Sequence, residues 1–520
     1  MAEKLLYVFY QDSLDAPTIH EYIESVERLD EVVDVQQSID IMPSVSNAIY
    51  VNENRIHILP DWLDKRPAIV FPSEIPFNKN YFLGTVFGML GNEERYPQYF
   101  IGYPAILYIF DLIQSITKGD EADNVLEKIL ENTKFAHPFQ NYAFNHNVAI
   151  ALNYGHYSNE INAEAIEAHY EDALQLAFEP SYKAYTLKYY GNFLIDSGDS
   201  KRAIELLNQQ TFKSLADYPK YSLERVWCQA VMKQLTFPYD QQLIAELKDR
   251  LWDTVQFFDK HGHKTIAAFL WMDAATIANF SNSYSESLGY ITKAVTYFKG
   301  EGQLEMVAQA QLVRGRLFYD WAQSGNPQFY RSALEAYHEA LTVFKKEEAP
   351  EVFADIHHQL GVIYAELPDE NKKRSIWAAL SATSFNEALE YYNKVDFPYE
   401  FGMICNNFAN AYTKYPQSKR SDNFEKALNY YEEALSVRHG LAYPTERAIT
   451  LLNYLEASWK ASNPDEVFNI ERYNDMVAKA NEIKTLTADE QLIAETEKHF
   501  VLLGELEKEM TITGFQTSNN

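Results

Sequence analysis

The sequence predicts a mainly α protein: an α-solenoid of stacked helical hairpins preceded by a small α+β domain. Three observations carry this. From about residue 122 to 509, apolar side chains recur at i, i+3, i+4 and i+7 between short breaks of Gly, Pro, Asn and Asp. Inside that stretch one helix face is written twice, as YRSALEAYHEAL from Tyr330 and FEKALNYYEEAL from Phe424. Residues 1–116 have another texture, short β-like runs mixed with helical ones.

Composition sets the outer limits. A chain of 520 residues with 47% apolar and 23% charged residues has ample core, which excludes disordered and fibrous classes. Asp and Glu outnumber Lys and Arg by 74 to 45, and the resulting net charge of −29 repels phosphate backbones and anionic lipid. The expected partners therefore exclude nucleic acid. Cys228 and Cys405 are the only cysteines, too few for a disulfide framework, and free thiols are expected. The apolar run before Gln11 is too short for a signal-peptide core, and the run from Tyr99 ends at Asp111, short of the roughly 18 residues of a membrane span. A cytoplasmic location without an integral membrane segment is the expectation.

In chain order, LLYVFYQ near Leu5, NAIYV and RIHIL around the turn Asn52-Glu53-Asn54, and AIVFP ending at Phe71-Pro72 read as strands. Asp15 is placed to cap a helix that has Pro17 just inside it and runs to about Leu29. YFLGTVFGML at Tyr81 and YFIGYPAILYIFDLI at Tyr99 are apolar on nearly every side and predict buried helices. The polar stretch Thr117 to Asn124, with Gly119, separates a domain at 1–116 from the array at 122–509, and 510–520 reads as a flexible tail.

The array has its own internal logic. Tyr330, Ala333, Leu334, Tyr337, Ala340 and Leu341 occupy the same offsets as Phe424, Ala427, Leu428, Tyr431, Ala434 and Leu435. Each set follows a helix carrying a small residue and an aromatic three further on: Gly315 with Phe318, Gly361 with Tyr364, Ala409 with Tyr412. Antiparallel helices approach closely only where small side chains meet, which predicts the pairs Gly191 with Ala203, Ala275 with Ser287, Gly315 with Ala333, Gly361 with Ala388 and Ala409 with Ala427. Pro350, Pro398 and Pro444 each open a first helix, where a missing N–H costs nothing, and their spacings are 48 and 46 residues.

Small residue, aromatic at +3, then Ala on an apolar face resembles the tetratricopeptide repeat (TPR). The period is longer than that repeat's usual one. The segment FPYEFGMICNNFANAYTKYPQSKRSDNFEKALNYYEEALSVRHGLAYPTERAITLLN is similar to the long-period repeats of bacterial proteins that carry TPR arrays ahead of CHAT peptidase domains. The likeness is clearest over 308–460 and absent from the first 116 residues. It implies a right-handed superhelix with adaptor or regulatory behaviour. It does not carry over peptidase activity, because both cysteines lie in repeat helices and no α/β pattern follows the array. Between Gly361 and Ala388 nine extra residues predict a longer loop containing an exposed Trp377, and a second helix shortened by about two turns.

Chemistry-bearing motifs are sparse: no GxxxxGK[ST], HExxH, GxSxG or CxxC occurs. Asp259, His261 and His263 read as a solvated turn, and His357-His358 point too far apart to share a ligand. No catalytic residue, metal or cofactor is expected. The resemblance implies that the first helices line a concave groove. The residues it would place there are Arg316, Tyr319, His358, Gln359, Glu366, Asn406, Asn407, Asn410, Lys414, Asn453, Glu456, Trp459 and Lys460. Asn offers donor and acceptor together and can hold a peptide backbone, while Tyr or Trp near Arg makes an anchor. The same amides could instead bond to neighbouring helices. The leading expectation is a non-enzymatic scaffold that binds a protein or peptide in the groove. The rivals are a sensor-regulator controlling an effector and an enzyme sited in residues 1–116.

Overall fold

The structure, a computed structural model, describes residues 5–38, 45–72, 75–120, 123–132, 138–157, 162–208, 215–236, 239–368, 371–417, 422–461 and 469–517. The chain forms two compact units, Met1–Phe257 and Phe258–Asn520.

The first unit begins with β1 (Leu6–Tyr10), α1 (Asp15–Glu24), α2 (Leu29–Val32), β2 (Val33–Gln37), β3 (Ala48–Asn52), β4 (Arg55–His57) and β5 (Ile75–Pro76). The strand order is β2-β1-β3-β4-β5. β1 pairs in parallel with both β2 and β3, placing Val8 between Val35 and Ile49, while β4 and β5 run antiparallel. Glu53 and Asn54 both take positive φ, 48° and 61°, the geometry a tight two-residue hairpin needs between β3 and β4. Asp15 is the first helical residue of α1 rather than its cap, and the helix stops at Glu24. The strand expected at AIVFP is not one. Asn147 from a later helix accepts from Val70 N–H and donates to Val70 C=O, both at 2.8 Å, so a side-chain amide takes the place of a strand partner.

Helices follow: α3 (Lys79–Met89), α4 (Tyr96–Tyr99), α5 (Pro104–Lys118), α6 (Asp123–Asn132), α7 (Pro138–Tyr154), α8 (Ala163–Leu176), α9 (Pro180–Asp196), α10 (Ser200–Asn208), α11 (Asp217–Gln234) and α12 (Gln241–Lys260). The apolar run at Tyr81 is buried as α3, and its glycines permit close approach: a Cβ on Gly88 would sit 2.5 Å from the Phe110 ring of α5. α5 ends at Gly119, whose φ of 71° is the left-handed cap glycine favours. Gly191 of α9 abuts Val226 of α11 rather than Ala203.

The second unit is a row of helical hairpins: α13 (Lys264–Phe280) with α14 (Tyr284–Gly300), α15 (Leu304–Gln323) with α16 (Phe329–Ala340), α17 (Pro350–Glu366) with α18 (Asn371–Tyr391), α19 (Pro398–Lys414) with α20 (Asn423–Leu435), and α21 (Pro444–Ser458) with α22 (Ile470–Leu486). α23 (Glu490–Thr517) packs on the last pair and carries helix into the expected tail. Three first helices open on their prolines, and Ser287 donates to the Ala275 carbonyl at 2.7 Å, closing one expected small-residue pair. Ala409 and Ala427, both fully buried, share a core with Tyr431. Elsewhere an aromatic fills the gap: Gly315 lies under the Tyr337 ring and Gly361 under the Phe385 ring. The insertion after Gly361 departs from expectation. It is helical, extending α18 to 21 residues, and Trp377 stacks on Tyr364 at 5.7 Å instead of standing in a loop. A large indole that can lie flat on a repeat tyrosine stabilises added helical turns there.

Candidate functional site

The residues expected in a groove lie on or at the ends of α15, α17, α19 and α21, and the first helices are tied to one another by polar side chains. Asn279 of α13 donates to Asp320 of α15 at 2.7 Å, and Asp320 also accepts from Arg316 at 3.1 Å. His358 of α17 accepts from Asn407 of α19 at 2.9 Å. Asn407 accepts in turn from Asn406 at 3.5 Å, whose own carbonyl oxygen accepts from Asn453 of α21 at 3.3 Å. Lys414 of α19 pairs with Glu366 of α17. Trp459 donates its indole N–H to His499 of α23 at 2.9 Å. Asn410 accepts from Tyr431 of α20 at 2.5 Å. Together these bonds form a ladder that joins α13 to α15 and runs from α17 through α19 to α21, with side branches to α20 and α23.

Burial grades the ladder into floor and rim. His358 and Asn406 are buried, Asn407, Asn410, Asn453, Tyr319 and Trp459 are half-buried, and Arg316, Lys414, Glu456 and Lys460 are exposed. Burial lowers His358 from 6.5 to about 4, so the ring is neutral near pH 7 and its Nε2 is free to accept from Asn407. Burial also raises the Tyr319 hydroxyl. Gln359 stands apart: it is half-buried and makes no side-chain hydrogen bond to the described residues. Asn279, Asp320 and His499 belong to the ladder and escaped the sequence reading, which looked only at a fixed set of offsets from each small residue.

The other constellations are accounted for within the fold. Asp259 is held by Lys293 at 2.5 Å and Tyr297 at 2.6 Å. Among the described residues no group of three His, Cys, Asp or Glu side chains is arranged to hold a metal, and no helix is long and apolar enough to cross a membrane. Cys228 and Cys405 are buried and not disulfide-bonded, and burial pushes Cys405 up to about 12.

Repeated hairpins with a small residue or an aromatic at each crossing, first helices joined side by side, decide the architecture. This is a TPR-like helical repeat fold. A family model for the soluble NSF attachment protein, SNAP, matches residues 249–406. The chain is similar to the solved structure of a STAND protein with a tetratricopeptide repeat sensor from Pyrococcus horikoshii at 13% identity, covering 95% of this chain and 82% of that one with a TM-score of 0.49. It is also similar to human IFIT1 at 12% identity, 82% and 90% coverage and a TM-score of 0.38, and to the anaphase-promoting complex assembly Cut9-Hcn1 at 12%, 83% and 89% and 0.32. No curated protein matches by sequence at a significant level.

Proposed function

We propose that the repeat array is a non-enzymatic scaffold that binds a protein or peptide segment across the face formed by its first helices. The carrying observation is the division of labour on that face. The buried and half-buried amides are engaged with neighbouring helices and make a stiff polar floor. Among the described residues Gln359 makes no side-chain hydrogen bond, and the rim offers the exposed Arg316, Lys414 and Lys460 with Glu456. A floor that is already ordered lowers the entropy a partner must overcome, and an amide with both functions matches a peptide backbone. Tyr319 and Trp459 supply flat, partly exposed anchors. The acidic charge of the chain favours protein over nucleic acid as the partner.

The test is affinity capture from the native cell with the full chain, run beside a Tyr319→Ala, Gln359→Ala, Lys414→Ala triple variant. A partner that binds the wild-type chain and is lost with the variant, at unchanged melting temperature, supports the reading. A partner retained undiminished places the binding surface elsewhere.

A further inference from the structure

The sheet of the first unit changes its winding direction at β1. That strand has parallel neighbours on both sides, β2 reached through α1 and α2, and β3. The chain therefore leaves β1 toward one edge of the sheet and comes back to its other side. In open parallel sheets the connections part at such a point, which leaves a crevice outside the carboxyl ends of the two strands.

Side-chain alternation decides what faces that crevice. Phe9 pairs with Tyr50 and Tyr50 with His57, so the three share one face of the sheet, and Asn52, two residues beyond Tyr50, joins them at the end of β3. The Phe9 and Tyr50 rings stack there at 5.2 Å. All four residues line a pocket of about 180 Å³, to which Phe71 and Tyr182 of α9 add two more rings. Among the described residues that line it there is no Lys, Arg, Asp or Glu.

Two polar side chains in this aromatic lining have hydrogen-bonding capacity to spare. Asn52 is half-buried, and its amide makes no hydrogen bond to the described residues. Burial lowers the half-buried His57 ring from 6.5, against a hydrogen bond to the Asn52 backbone that acts to raise it. The ring is neutral near pH 7, with one nitrogen donating and the other left as an acceptor. No described residue donates to that acceptor.

We propose that this pocket binds a small, neutral, planar heteroaromatic molecule of the nucleobase type, its faces against Phe9, Tyr50 and Tyr182 and its polar edge on Asn52 and His57. The volume lies below the ~300 Å³ at which drug-sized pockets begin, which limits the ligand to one or two rings. An ionised ligand would lose its hydration without meeting a counter-charge. A purely apolar ring would leave Asn52 and His57 desolvated and unbonded. The net charge of −29 also favours a free base over one that carries phosphate. The site lies in the first unit and is independent of the partner face described above.

The experiment is isothermal titration of the full chain at pH 7 with adenine, cytosine, benzene and benzoate. At least one of the two bases should bind with a Kd of about 1 mM or tighter, and benzene and benzoate at least about tenfold more weakly. Asn52→Ala should weaken the base at least about fivefold by removing the edge contact. Gln11→Trp, a change at an exposed position that lines the pocket, should weaken it at least about tenfold by filling the space without altering the melting temperature. The proposal is overturned if neither base saturates, if benzene or benzoate binds as tightly as the better base, or if either variant binds like the wild type.

Discussion

The sharpest test of the ladder is Asn407→Ala. Asn407 is the hydrogen-bond donor to His358 Nε2, and His358 is only 3% exposed. Removing the donor leaves a buried acceptor unsatisfied, which costs about 1–3 kcal/mol. For a unit of this size that lowers the melting temperature by roughly 2–12 °C. The assay is thermal unfolding of the full chain, following the transition of the second unit. The acid limb adds a second reading. In the unfolded chain His358 takes a proton near 6.5, whereas in the folded unit it does so only at about 4. Stability from this group is therefore fully present above pH 6.5. It falls by about 1.4 kcal/mol per pH unit on the way down to 4, because the unfolded state binds the extra proton. His358→Gln, which is neutral throughout, should remove that slope relative to the wild type. An Asn407→Ala chain that melts like the wild type, or equal acid slopes for wild type and His358→Gln, refutes the reasoning.

Three further outcomes follow from the packing. Lys188→Met should destabilise the first unit by about 1–3 kcal/mol in chemical denaturation, since it removes a buried donor to Asp64 while leaving that part-exposed carboxylate its bonds to Arg225 and Tyr189; a loss under 1 kcal/mol contradicts this. Gly361→Ala gains about 1 kcal/mol of helix propensity but sets a Cβ 2.9 Å from the Phe385 ring, itself stacked on Phe408 at 4.7 Å. Overpacking of about 1–3 kcal/mol should win, and a stabilised variant would mean that the ring can shift. A thiol reagent at pH 8 should leave Cys405 unmodified until the second unit unfolds, because burial holds the thiol near 12; fast labelling of the native chain would disprove it.

Much of the array was legible because its signals are steric and periodic. Gly315, Gly361, Ala409 and the three prolines mark helix crossings and helix starts through size and a missing N–H, properties that do not depend on distant partners. Where the structure differs, a tertiary partner decides. Val70 leaves the β pattern because Asn147, 77 residues away, supplies both of its hydrogen bonds. β2 went unseen because VDVQQ carries only two valines in a polar run, and it becomes a strand by pairing with the buried β1. The extra residues before Ala388 became helix because Trp377 finds Tyr364 across the hairpin. The loop after β4 could not be read at all, since its geometry rests on Asp61 bonding to its own backbone and on Asp64 reaching Lys188 and Arg225.

The role of the Asn residues was the least legible, and the repeat period explains why. A side chain on a first helix can reach the equivalent first helix of the next repeat as easily as it reaches solvent, because packed helix axes lie only about 8–10 Å apart. The structure shows which choice was made through sequence separation: His358 and Asn407 are 49 residues apart, Asn406 and Asn453 47, Glu366 and Lys414 48. Those intervals lie within one residue of the spacings 48 and 46 between Pro350, Pro398 and Pro444, so complementary donors and acceptors about one period apart are a signal a single sequence does contain. Gln359 makes no such bond to the described residues: Val313, 46 residues earlier, offers no side-chain hydrogen bond, Gln311, 48 earlier, is buried with its amide unbonded, and Asn407, 48 later, is committed to His358. An amide that makes no bond to the described residues is the one whose substitution should change partner binding without changing stability, which is why Gln359 belongs in the triple variant and Asn407 does not.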